Sequence, residues 1–243
     1  MRQPGKVSKG PQPPFRREFT SPAELAARLA EAVAEVLQTG IAARGHATLA
    51  VSGGTTPVRF LEALSHKDID WTKVTVTLVD ERFVPPDDER SNEGMVRRHL
   101  LRDKAAAARF LGLWRETRRV EEAAQGALRD VARLPTPLDA VVLGMGTDGH
   151  SASFFADAEG FALLTDPTCP VPVLPVKAKS AGEERLTLTL PVIVQARFLA
   201  LHIEGEEKQR VLERAIDGAT AEELPIRAVL DHAVGPLHIF HAP

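Results

Sequence analysis

The chain has a single cysteine, Cys169, in 243 residues. It forms no intrachain disulfide, and there is no cysteine cluster for zinc or iron–sulfur chemistry. That usage fits a reducing compartment, so a cytoplasmic location is expected. An excess of positive charge is also missing. Thirty Lys and Arg stand against 33 Asp and Glu, a formal net charge of -3. No bulk field draws nucleic acid or an anionic membrane, although a local basic pocket for a small anion stays open. No apolar run approaches the ~18 residues needed to span a bilayer. The opening "MRQPGKVSKGPQPPFRR" is basic but has neither the apolar core of a secretory signal nor an amphipathic period. Gly and Pro dominate it, so residues 1–17 are expected to form a disordered or loosely attached leader. Residues 18–243 are then one domain, long enough for a sizeable core.

Within that domain, helical and strand patterns alternate. "SPAELAARLAEAVAEVLQ" has Ser21 as cap, Pro22 in the first turn and Glu24 to complete a capping box. "HATLAVSGG" is a buried strand running into a glycine turn, and "TPVRFLEALSH" a helix with Thr56 as cap and Pro57 at its first position. "KVTVTLVD" alternates as a strand, "SNEGMVRRHLL" reads as a helix, "RFLGLW" as a short strand and "VEEAAQGALRDVARL" as a helix. "LDAVVLGMG" is apolar throughout, as in a strand covered on both faces. Two strands, or a strand with a short helix, follow in "RLTLTLPVIVQARFLALHIEG", then the helix "EEKQRVLERAI" and the strand "PLHIFHA". The Pro-rich run from Thr165 to Pro175 reads as a loop. The alternation predicts an α/β fold: a Rossmann-like, mostly parallel sheet with helices on both faces.

Such sheets bind ligands at the carboxyl ends of their strands. Three ends carry chemistry. In "SGGTTP", Gly53 and Gly54 admit close backbone approach, Ser52 and Thr55 add hydroxyls, and a helix N-terminus follows, as a phosphate site needs. An ordinary capped turn explains the same residues, and the Gly-Lys-Ser/Thr ending of a Walker loop is missing. "VDERFVP" puts Asp80, Glu81 and Arg82 at a strand end. A guanidinium there suits a phosphate or carboxylate, while a solvated charged triplet is the plainer reading.

The third end, "LGMGTDGHSASFF", spells G-x-G-x-x-G through Gly144, Gly146 and Gly149, the spacing of a dinucleotide turn. Asp148 inside it would set a negative charge against a pyrophosphate. No convincing acidic residue ends a strand ~20 positions later. The alternative is a catalytic loop. A helix starting at "SASFF" would point its positive end at His150 and favour a neutral imidazole able to act as a general base. Asp148 would fix the ring's tautomer if it reaches a ring nitrogen. A histidine that merely caps a helix fits as well. Of the later basic residues, Arg185 and Lys208 sit at element boundaries, while Lys177 and Lys179 read as surface. His238 and His241, at odd spacing on one strand, face opposite ways and make no two-histidine metal pair.

"SGGTTP", "DERFVP" followed by "SNEGM", "LGMGTDGHSASFF" and "ERLTLTLP" come in the order seen in the 6-phosphogluconolactonases, which the chain resembles from about His46 to its last strand. The wider group includes glucosamine-6-phosphate isomerase/deaminase. The resemblance implies hydrolysis of 6-phospho-D-glucono-1,5-lactone to 6-phosphogluconate in the oxidative pentose phosphate pathway. It implies a sugar-phosphate substrate, no organic cofactor and no assigned metal. His150 is then the catalytic base, oriented by Asp148, with Asp80 shaping the polar site. Ser52, Gly53, Gly54, Thr55, Arg82, Arg185 and Lys208 would hold the substrate. The deaminases carry a glutamate five residues after the loop histidine, where this chain has Phe155. An apolar ring shuttles no proton, which disfavours the deaminase. Two departures stand out: Phe154-Phe155-Ala156 where lactonases often have Leu-Phe-Pro, and "SAGEE" in place of a proline-rich run. A sugar-phosphate sensor and a nicotinamide-dependent oxidoreductase are the remaining rivals. The first lacks a DNA-binding module here, and cofactor binding would reveal the second.

Overall fold

A computed structural model describes residues 13–243. Ten strands are found among them: β1 (Phe15–Glu18), β2 (Ala47–Val51), β3 (Val74–Leu78), β4 (Asp80–Arg82), β5 (Arg109–Leu111), β6 (Ala140–Leu143), β7 (Val173–Val176), β8 (Arg185–Leu188), β9 (Phe198–Glu204) and β10 (Leu237–Ala242). Seven of them form one sheet in the order β1-β10-β9-β6-β2-β3-β5, and every neighbouring pair is parallel. β2 and β6 are buried along their whole length, as expected of strands covered on both faces. The result is a Rossmann-like α/β fold.

Local signals explain much of the framework. The helix Pro22–Arg44 starts as expected, with Ser21 Oγ accepting the Glu24 N–H at 3.2 Å. The Glu24 carboxylate reaches back to Thr20, one residue beyond the cap, accepting its N–H at 3.0 Å and its hydroxyl at 2.7 Å. The helix ends where Gly45 turns left-handed at φ 78 and returns its N–H to Ile41 at 2.8 Å. Leu25, Leu29, Val33 and Leu37 are buried on its inner face.

Three expectations about the strands need correction. Phe15, Arg16 and Arg17, assigned to the leader, lie in β1, which pairs with the edge of β10. Arg16 pairs with Glu213, and Arg17 lies 5.1 Å over the Phe240 ring. Residues 1–12, the rest of the leader, lie outside the described residues. The Pro-rich run is not all loop, because Val173–Val176 is a strand. Finally, β4 does not end the β3 strand. The chain leaves the large sheet at Val79 and enters a second, antiparallel sheet in the order β4-β8-β7.

Histidines 238 and 241 do part company. His238 sits 4.8 Å from the Phe198 ring, while His241 Nδ1 contacts Glu18 at 2.5 Å. Among the described residues no helix is long and apolar enough to cross a membrane.

Candidate active site

The strands β9, β6, β2 and β3 are neighbours and run parallel, so their carboxyl ends share one rim. From β2 the chain builds outward through β3, then crosses back to place β6 on the other side. This reversal opens a crevice between β2 and β6, where α/β sheets bind ligands. A cavity of about 230 Å³ lies there. Asp80, His150, Ser52, Gly53, Gly54, Thr55, Arg82, Arg185 and Lys208 all line it, and Asp148 stands behind His150.

"SGGTTP" forms one wall. The Ser52 N–H donates to Val142 at 3.0 Å, and Ser52 Oγ accepts the Gly144 N–H at 3.1 Å. The two strand ends are thereby tied together, and the Ser52 hydroxyl proton is left for a ligand. Gly53 has to be glycine, since a Cβ there would overlap the Asn92 carboxamide. Gly54 sits at φ +91. Among the described residues, the N–H groups of Gly53, Gly54, Thr55 and Thr56 meet no protein acceptor. Thr56 is not the helix cap expected from sequence. The helix Val58–Ser65 begins after Pro57 without a side-chain cap. The Thr56 hydroxyl accepts from Lys208 Nζ at 3.3 Å instead. A free-donor turn beside an ammonium has the chemistry to take an anion.

The wall opposite comes from β4. Asp80 is 5% exposed. Its Oδ2 accepts the Ser153 hydroxyl at 2.6 Å and lies 3.6 Å from Arg185 Nη1. Glu81 points the other way and is fully buried. Its carboxylate accepts the N–H groups of Arg82, Asn92 and Glu93 at 2.7–2.8 Å and the Ser91 hydroxyl at 3.1 Å. It thus fastens β4 to the start of the helix Asn92–His99. Burial raises the Glu81 pKa to about 7, against the lowering effect of those N–H donors. A raised folded-state value means that Glu81 favours folding fully below its unfolded value of 4.5, and that this stability is lost as pH rises through about 7. Melting temperatures of the wild type should fall across that window more steeply than those of Glu81→Gln. Parallel curves would show that Glu81 titrates alike in both states.

The loop after β6 holds the imidazole. The His150 Nδ1–H donates to Asp148 Oδ1 at 2.6 Å, so the carboxylate does reach the ring. That contact assigns the tautomer, and Nε2 of this cavity-lining ring has no hydrogen-bond partner among the described residues. Burial acts to raise the Asp148 carboxyl, but the hydrogen bonds and charge of His150 outweigh it, and its pKa lies below the ordinary aspartate value. Glycines allow the turn. A Cβ on Gly146 would overlap both the Asp148 carboxylate and the His150 ring. Gly149 adopts φ +78. Gly146→Ala should therefore keep the fold but break the pair, lowering turnover while substrate still binds. Wild-type turnover in that variant would contradict the packing argument.

No helix starts after His150. Residues 151–156 run in turns, and Ala152 takes φ 53, which a helix forbids. The dipole argument for a neutral ring lapses. An aromatic support stands in its place: the His150 ring stacks on Phe155 at 4.4 Å, and the Arg185 guanidinium carbon lies 5.1 Å from the same ring. Phe155 is 3% exposed.

Sequence reasoning missed three residues at this site. Ser153 and Asn92 are buried polar groups inside quoted motifs, where nothing in the sequence marked them as inward-facing. His202 lines the cavity near Lys208, and a lone histidine within the apolar β9 was the available signal. It gives Nε2–H to Glu204 at 3.1 Å, and burial, with the Lys208 charge, lowers its pKa to about 4, so the ring is neutral. Lys177 is surface as read, paired with Glu121 at 2.7 Å and Glu184 at 3.2 Å.

The fold and cavity define an α/β protein with a carboxylate–imidazole pair beside a cavity lined by basic and hydroxyl side chains. The chain belongs to the family described as glucosamine-6-phosphate isomerases/6-phosphogluconolactonase, whose model matches residues 20–238. It is 53% identical to a 6-phosphogluconolactonase of Mesorhizobium japonicum, over 93% of this chain and 94% of that one. A crystal structure of a 6-phosphogluconolactonase from Shewanella baltica superposes with a TM-score of 0.92 at 36% identity, covering 97% of this chain and all of that one. A monomeric glucosamine-6-phosphate deaminase shares the fold, with a TM-score of 0.73 at 16% identity over 94% of this chain and 97% of that one. Architecture alone therefore does not separate the branches of the family.

Proposed function

We propose that the protein hydrolyses 6-phospho-D-glucono-1,5-lactone to 6-phospho-D-gluconate. The observation that carries this reading is the Asp148–His150 pair at 2.6 Å, in a cavity that Arg82, Arg185 and Lys208 also line. His150 Nε2 takes a proton from water as the water oxygen attacks the lactone carbonyl carbon. The resulting oxyanion needs donors set in advance. Gly146 and Gly149 already spend their N–H groups on His150 O and Gly146 O, at 2.9 and 3.1 Å. Neither of those two N–H groups is therefore free to meet the oxyanion. The ring C–O bond then breaks, and His150 returns its proton to the departing ring oxygen. Asp148 holds the tautomer throughout. Arg82, Arg185 and Lys208, with the Ser52 and Thr55 hydroxyls, hold the phosphate, and this remote grip positions the lactone.

Phe155 argues against the deaminase branch. Packed against His150 and Arg185, it offers no proton for sugar ring opening. A lactone is already a cyclic ester and needs none. The reaction belongs to the oxidative pentose phosphate pathway, in the cytoplasm, the reducing compartment that a chain with one cysteine fits. The test is a side-by-side assay of acid release from the lactone and ammonia release from glucosamine 6-phosphate. Acid release alone is expected. Ammonia release would move the protein to the other branch.

A further inference from the structure

The Asp80 carboxylate is held by one oxygen only. Oδ2 carries the Ser153 hydrogen bond and the Arg185 contact. Oδ1 accepts from no protein group among the described residues, and it is not among the polar atoms sealed from solvent. Asp80 lines the cavity, so this free oxygen is open to a ligand there.

Most other polar groups around it are donors: the guanidinium groups of Arg82 and Arg185, the Lys208 ammonium and the Ser52 and Thr55 hydroxyls. A phosphorylated sugar lactone presents acceptors at its phosphate and its carbonyl. Its only donors are ring hydroxyls. A donor-rich wall matches the first two, and an ionised carboxylate, which accepts only, matches a hydroxyl. Ser153 decides where that carboxylate points. It is fully buried, and its N–H donates to Thr187 Oγ1 at 3.3 Å. Its hydroxyl links the His150 loop to the strand that bears Asp80.

Resting on the lactonase reading, we propose that Asp80 Oδ1 recognises a ring hydroxyl of the sugar lactone, and that Ser153 is the positioning residue that aims it. The pair is a specificity device, distinct from the imidazole that performs the hydrolysis.

The test compares wild type, Ser153→Ala and Asp80→Asn on the 6-phosphorylated lactone and on its counterparts lacking the C2, C3 or C4 hydroxyl. A hydrogen bond to a charged group is worth roughly 10- to 100-fold in kcat/KM. Both variants should lose about that much on the parent lactone, mainly through KM. On the one deoxy lactone that lacks the recognised hydroxyl, the loss should nearly vanish, because the partner is already gone. Equal losses on all the lactones would show a merely structural role and overturn the proposal. Wild type inactive on the parent lactone would instead overturn the lactonase reading, and this proposal with it. Melting curves identify a variant that fails to fold. If Ser153→Ala does so, Asp80→Asn across the same series decides.

Discussion

His150→Ala should lower turnover on the phosphorylated lactone by about 10²- to 10⁴-fold, the usual worth of a general base. Nδ1–H is committed to Asp148 at 2.6 Å, and Phe155 holds the ring from one face at 4.4 Å. What remains is Nε2, on a ring that lines the cavity, so alanine removes the proton acceptor and little else. Binding of the product 6-phosphogluconate should be nearly unchanged, because the phosphate is gripped elsewhere. The lactone also hydrolyses unaided, so rates need a no-enzyme subtraction. Turnover equal to wild type would remove His150 from the chemistry.

Arg185→Ala should act differently. The side chain is only 12% exposed and lies beside both Asp80 and the Phe155 ring. Losing a charge-assisted contact to phosphate should raise KM by roughly 10- to 100-fold. The melting temperature should fall too, since the buried Asp80 carboxylate loses its cation. Arg185→Lys should recover part of the stability but less of the affinity, because an ammonium lacks the planar fork. Steady-state kinetics separate the cases. A fall in saturating turnover at unchanged KM would mean that Arg185 touches the reacting carbon and not the phosphate.

Much of this architecture is legible in the sequence, for identifiable reasons. β2 and β6 are apolar runs ending in glycine turns, and the helix Pro22–Arg44 carries a cap and a one-sided apolar face. The glycine turns after β2 and β6 therefore mark the rim of the sheet in the sequence, and the order of motifs supplies the residues. The small sheet was not legible. Neither Gly nor Pro separates Leu78 from Asp80, so the move between sheets at Val79 leaves no mark. β7 contains Pro175, which reads as loop, yet β7 is an edge strand, where a missing N–H is tolerated. "HSASFF" resembles a capped helix start, but the left-handed Ala152 stops it, and Phe154 and Phe155 just after that turn are buried. β1 is hard to see because an edge strand need bury little, and its residues are mostly exposed.

The cavity is expected to hydrolyse a phosphorylated sugar lactone. The direct measurement follows 6-phosphogluconate release, coupled to 6-phosphogluconate dehydrogenase, with wild type and His150→Ala against a no-enzyme control. The wild-type rate should exceed the spontaneous rate in proportion to enzyme, and the variant should fall close to the control. A wild-type rate no different from spontaneous hydrolysis would contradict the claim.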